Sequence, residues 1–201
     1  MARPKIHDEN LRVRLLGHAR ALVTERGIAA LSLRGLATDA GTSTTAVYSL
    51  FGGKFELLTA LFEESLKCFA AAQKAVPISG KVEADLMALS HAYQVWARDH
   101  SHLYILLFEQ PHGEYAFPDK LVAVQTIVEP LAGVVRSGVQ SGLLVGDPAV
   151  ITFTIWAAVH GVVYLNIAGY HPESLEVTTQ LVVAALVHGW LSGATGVTPS
   201  C

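Results

Sequence analysis

Cysteine is nearly missing from this chain. The two present, Cys68 and Cys201, stand far apart and form no C-x-x-C pair, which excludes a disulfide scaffold and a cysteine-built metal site. So few thiols fit a reducing compartment, and a cytoplasmic location is expected. Charge is scarce too, at 15% of residues. None falls between Pro148 and Pro172, none follows Glu176, and no Lys or Arg follows Arg136. The opening MARPKIHDENLRVRLL carries charges throughout and lacks the apolar run of a secretory leader, so none is predicted. No GxSxG elbow, phosphate-binding loop, dinucleotide glycine signature or HExxH occurs. Catalysis is therefore not expected, and no cofactor is implied. No stretch sustains an apolar–polar alternation of period two, which argues against a sheet.

What is present is largely apolar: 51% of 201 residues. That length supports one or two domains with a substantial core. The excess must enter a core, a partner, a ligand cavity or a membrane. A net charge of −3 looks unsuited to nucleic acid until the chain is divided. Residues 1–54 hold eight basic and four acidic side chains, a net +4, and the remainder holds six and thirteen, a net −7. A basic head on an acidic body is the asymmetry of a DNA-binding regulator. The expected division is 1–54 for the head and 55–201 for the body.

The head centres on Ser32 to Lys54, SLRGLATDAGTSTTAVYSLFGGK. Leu33, Leu36, Ala37 and Ala40 recur at i, i+3, i+4 and i+7, one apolar face of a short helix. Gly41 supplies the positive φ that ends it, and Thr42 or Ser43 caps the next. In that second helix Val47, Leu50 and Phe51 point inward. Thr44, Thr45, Tyr48 and Ser49 are left outside. Hydroxyls and a phenol suit a groove edge and its phosphates. The spacing predicts a helix-turn-helix with Thr44–Leu50 as the recognition helix. Candidate phosphate contacts are Tyr48 and Lys54, the latter at a helix N-terminus. Candidate base readers are Thr44 and Thr45. Arg34 and Ser49 are placed to reach phosphate or groove edge.

These residues resemble the DNA-binding domain of the TetR family of bacterial transcription regulators. That family carries a helix-turn-helix followed by an aromatic pair and a lysine opening the fourth helix, here Tyr48, Phe51 and Lys54, with Leu57 and Leu58 after them. Leu36-Ala37 and Ala40-Gly41 also match. Thr45-Ala46-Val47-Tyr48 stands where members often have Gly-Thr-Leu-Tyr, and Ser49-Leu50 where they often have His-Tyr. The scaffold thus matches better than the base-reading surface. The similarity spans about Leu11 to Phe62, and Trp156 to Gly161 resembles the W…HG signature of one group of TetR C-terminal domains. The resemblance implies dimerisation through the last two helices and repression released by a small effector. An activator or a ligand-independent regulator of the same architecture is the alternative.

Read in order, residues 1–9 form a flexible polar arm with Arg3 and Lys5, and a helix runs from Leu11 to Gly27. Lys54 opens a long helix to about Lys74, a lever between head and body. VPISG at 76–80 is a break. Val82 to Asp99 and Leu103 to Gln110 are helical. Residues 111–118 form a loop, and Asp119 caps a helix to Ser141 that Pro130 should kink or divide. Asp147-Pro148 starts another helix. The whole is all-α, with nine or ten helices.

The two uncharged stretches, 148–172 and 177–201, are long enough to cross a bilayer as a hairpin. Against this, Thr152, Thr154, His160, Asn166 and His171 interrupt the first, and no basic residues flank either. The preferred reading is a homodimer, each helix burying one face in its own core and another in the partner. Val159, Val163, Ile167, Val182, Val183, Leu186 and Trp190 are the candidate partner face. Two copies can read two half-sites of a palindromic operator. For an apolar effector the candidate walls are Tyr93, Trp96, Tyr104, Phe108, Ile127 and Trp156, with His160 as a polar handle. Each is equally an ordinary core residue. His100, His102, Glu109 and His112 match no strong ligand spacing, so no metal is expected.

Overall fold

The computed structural model describes residues 5–108, 120–170 and 174–191, and among these it contains nine α-helices and one short 3-10 turn. Arg3, the loop 111–118 and the cap assigned to Asp119 lie outside the described residues. The helices are α1 (Lys5–Arg26), α2 (Leu33–Asp39), α3 (Thr44–Phe51), α4 (Lys54–Lys74), α5 (Val82–Asp99), α6 (Ser101–Phe108), α7 (Lys120–Gln140), α8 (Pro148–Ile167) and α9 (Leu175–Trp190).

Two expectations are corrected at once. The arm is helical from Lys5, six residues before the expected start. No glycine or proline follows Pro4 until Gly17, so nothing in the backbone prevents the helix from extending. Pro130 lies inside α7, which runs through it as one helix, so of the two expected outcomes the division into shorter helices does not occur.

The chain separates into two compact units, and the division differs from the expected cut after residue 54. One unit takes the described residues through Lys67 together with those from His100 to Phe108. The other takes Cys68–Asp99 and the described residues from Lys120 onward. Helix α4 therefore contributes to both. In the first unit α6 packs on α1, and its Leu103, Tyr104, Leu106 and Leu107 are buried. The His102 ring fixes the approach, its Nδ1–H donating to the Thr24 carbonyl at 2.8 Å.

In the second unit α5, α7, α8 and α9 pack on one another, with Phe69 of α4 fully buried among the core side chains of this unit. Asp147 caps α8, accepting from the Ala149 N–H at 2.8 Å, and Ser174 caps α9. By length and composition α8 could cross a membrane. Here it buries Ile151, Ile155, Val159 and Val163 against its neighbours. The second stretch of the expected hairpin is a helix of 16 residues as far as it is described.

The break before α5 is a carboxylate-centred turn. Asp85 accepts from the Ser79 N–H (2.8 Å), the Ser79 hydroxyl (2.7 Å) and the Gly80 N–H (2.9 Å), with Gly80 at φ 84. These donors, the Ser79 N–H first, hold the Asp85 carboxyl below the usual carboxylate value. The stabilisation is present above the unfolded pKa of about 3.9 and is lost as pH falls through the lower folded value. Asp85→Ala is expected to lower the melting temperature at neutral pH. Melting curves for both proteins between about pH 7 and pH 2 should converge below about pH 4.

Candidate nucleic-acid interface and body cavity

The helix-turn-helix is built from local rules. The Ser32 hydroxyl accepts from the Gly35 N–H at 3.1 Å and starts α2. Gly41, at φ 62, turns the chain, and the Ser43 hydroxyl accepts from the Ala46 N–H at 3.1 Å to start α3. Of the two expected caps, Ser43 is the one used. Val47 and Phe51 are buried, and α3 packs on α2, whose Leu33, Leu36 and Ala37 are buried in turn. Leu50 is only half-buried.

That packing decides which side chains face water. Thr45, Tyr48 and Ser49 are exposed together on α3, Tyr48 by 53%. Thr44 is half-buried, Arg34 is exposed on α2, and Lys54 is half-buried as the first residue of α4. The exposed side of α3 carries hydroxyls and a phenol and no carboxylate, so it can donate to phosphates and base acceptors without like-charge repulsion.

Two residues not foreseen as site residues hold this surface. The Arg14 guanidinium donates to the Ala40 carbonyl at 2.8 Å, tying α1 to the end of α2. Arg12 lies 5.1 Å over the Phe51 ring, tying α1 to α3. In the sequence they were merely basic residues off the apolar face of α1.

The body has a small cavity lined by Gln73, Leu89, Ser90, Tyr93, Ile127, Val128, Leu131, Trp156 and Val159. Its volume is about 20 Å³, room for about one water. Tyr93, Ile127 and Trp156 are the expected residues that line it. His160 stands behind Tyr93, the phenol and Nδ1 sharing a hydrogen bond of 3.0 Å. Burial depresses the His160 pKa and favours the neutral ring. Trp96 is not among the lining residues but stacks on Phe69 at 4.1 Å.

Tyr104 and Phe108 do not reach the cavity. Their rings lie 4.8 Å apart on α6, which folds with α1 in the other unit. Gln73, Leu89, Ser90, Val128 and Leu131 line it without having been foreseen. An apolar helix position carries no mark in the sequence to distinguish a cavity wall from solid core.

The expected partner face also needs correction. Val159, Val163 and Val183 are buried within the protomer and cannot meet a second chain. Ile167, Val182, Leu186 and Trp190 are partly exposed. The large apolar side chains left in water are instead Val150, Phe153, Tyr164 and Leu165 on α8, with Val177 and Leu181 on α9. Both helices are apolar nearly all round, so their periodicity could not select the outer face.

Among the described residues no three His, Cys, Asp or Glu side chains group as metal ligands. Glu109 and His112 lie outside the described residues.

A braced helix-turn-helix with a hydroxyl-bearing second helix defines a DNA-binding protein of the major-groove type. Comparison with protein families agrees and goes further. Residues 15–61 match the family described as bacterial regulatory proteins, tetR family, and residues 86–191 match the tetracyclin repressor-like C-terminal domain. The chain belongs to the TetR family of DNA-binding transcription regulators, which are not enzymes. It is similar to the HTH-type transcriptional regulator Rv1816 of Mycobacterium tuberculosis, at 24% identity over 89% of this chain and 93% of that one. A protein of unknown function from Rhodococcus sp. RHA1 has a similar structure, with a TM-score of 0.80 and 26% identity over 90% of this chain and 96% of its own. The fold is shared by RolR, solved in complex with resorcinol, with a TM-score of 0.64 and 17% identity over 95% of this chain and 92% of that one.

Proposed function

We propose that the protein is a cytoplasmic homodimeric repressor that binds a palindromic operator and is released by a small apolar effector. The observation that carries the dimer is the stripe of exposed apolar side chains on α8 and α9, since an apolar surface of this kind is stabilised by a partner. Arg34, Thr44, Thr45, Tyr48, Ser49 and Lys54 are the DNA contacts. Two heads related by a two-fold axis read half-sites about 34–36 Å apart or a multiple of it. An effector acts by binding one arrangement of the body better than the other, and α4, which belongs to both units, carries the difference. A coupling of about 1–3 kcal/mol changes DNA affinity by roughly 5–150-fold.

RolR, solved with resorcinol, supports the idea that this fold accommodates a small molecule. The small volume of the cavity favours a second reading, a regulator of the same architecture that needs no effector.

Light scattering of the protein in detergent-free buffer, combined with mobility shift on DNA from around its own coding region, tests the core of the proposal. A dimer near twice 21.5 kDa, with a shift that salt abolishes and unrelated DNA does not compete away, is expected. A monomer that binds all DNA alike would overturn it.

A further inference from the structure

The cavity lining includes a buried side-chain amide that apolar walls do not explain. Gln73 is 3% exposed and lines the cavity, and its Nε2 has no hydrogen-bond partner among the described residues. A buried amide donor left unmet is destabilising, so a plain core would favour leucine or methionine at this position. Ser90, also a lining residue, donates its hydroxyl to the Leu86 carbonyl at 2.8 Å and so adds no free donor. The remaining walls are aliphatic or aromatic, and none of the nine lining residues is charged. His160, behind Tyr93, is held neutral by its burial. An ionised ligand would lie there without a counter-charge, which is strongly unfavourable.

Resting on the effector reading above, we infer that this site takes uncharged, mostly apolar molecules bearing one carbonyl oxygen, such as ketones, esters or amides, with the oxygen accepting from Gln73 Nε2. Leu89, Ile127, Leu131 and Val159 enclose the hydrocarbon part. The walls must part to admit it, because ligand sites commonly measure roughly 300–1,000 Å³.

Three probes of one size separate the possibilities: acetophenone, α-methylstyrene, in which CH₂ replaces the carbonyl oxygen, and benzoate. The full chain, isotopically labelled, is titrated with each. The methyl resonances of Ile127 and Val159 report occupancy. The Gln73 side-chain amide pair, identified by its absence in Gln73→Leu, reports the hydrogen bond. Acetophenone is expected to bind at least roughly tenfold more tightly than α-methylstyrene, and to move the amide pair. Benzoate is expected not to bind. Gln73→Leu should bring the two neutral probes to similar affinity, and Gln73→Met serves the same purpose if the leucine variant does not fold. Preferred benzoate, or a ratio that survives both substitutions, would overturn the carbonyl inference and leave a ligand cavity standing. Silence of the cavity methyls with all three probes would remove the inference and the effector site together.

Discussion

Phe153→Glu combined with Leu181→Glu is expected to yield a folded monomer that has lost most of its operator affinity. Both side chains are largely in water within the protomer, 63% and 66% exposed, so neither contributes much to its core. Surface substitutions of this kind usually change stability by about 0.5 kcal/mol or less. The melting temperature should therefore be nearly unchanged. In a two-fold dimer the same two positions recur as four side chains. At about 1.5–3 kcal/mol for each buried apolar group, on the order of 6–12 kcal/mol of association is removed, before any charge is buried. DNA binding then loses the tethering of its second head, a factor of roughly 10²–10⁴. Light scattering and mobility shift on the same samples check both effects. A double variant that stays dimeric would move the interface away from these faces of α8 and α9.

Lys54→Ala should weaken binding to every sequence alike. The lysine is the first residue of α4, and in the proposed complex its ammonium and the helix N-terminus would address one phosphate together. Losing that contact from each of two heads should reduce the salt dependence, log K against log[salt], by about 2. Thr45→Ala should act differently. Thr45 is exposed on α3 whereas Thr44 is half-buried, so Thr45 is the better-placed candidate to reach a base edge. Its loss should leave the salt slope in place and change preference at one position in each half-site by about 1–3 kcal/mol. Binding to a randomised operator library, at two salt concentrations, separates the outcomes. Equal effects of both substitutions on all sequences would mean that α3 is not the recognition helix.

The head was legible because its signals are local. Ser32, Gly41 and Ser43 act within three residues of themselves, and the apolar face of α2 has a clear period. The start of α1 was not legible because residues 5–9 are polar, lie near a terminus and carry no apolar period, although nothing in the backbone there prevents a helix. The body was less legible, for a different reason. Residues of α8 and α9 are apolar on nearly every side, so nothing in their order distinguishes buried Val159, Val163 and Val183 from exposed Phe153 and Leu181. Packing against α5 and α7 makes that choice, and packing is not local. Tyr104 illustrates the same limit. Its aromatic ring suited a cavity wall, but α6 joins α1, and the ring became core of the other unit. Gln73 stood as one polar residue near the end of a long helix, and only the fold shows that it is buried.

The small volume of the cavity bears on dose. With room for about one water, it is too small as it stands for an organic molecule. On the proposed effector reading, binding would draw on whatever fraction of the population has its walls apart, and the apparent dissociation constant would be the intrinsic one divided by that fraction. A body open about 1% of the time therefore binds roughly 100-fold more weakly than its contacts allow. Such a protein ignores traces and responds to abundance. Its threshold can then be retuned by substitutions between α5, α7 and α8 that never touch the ligand.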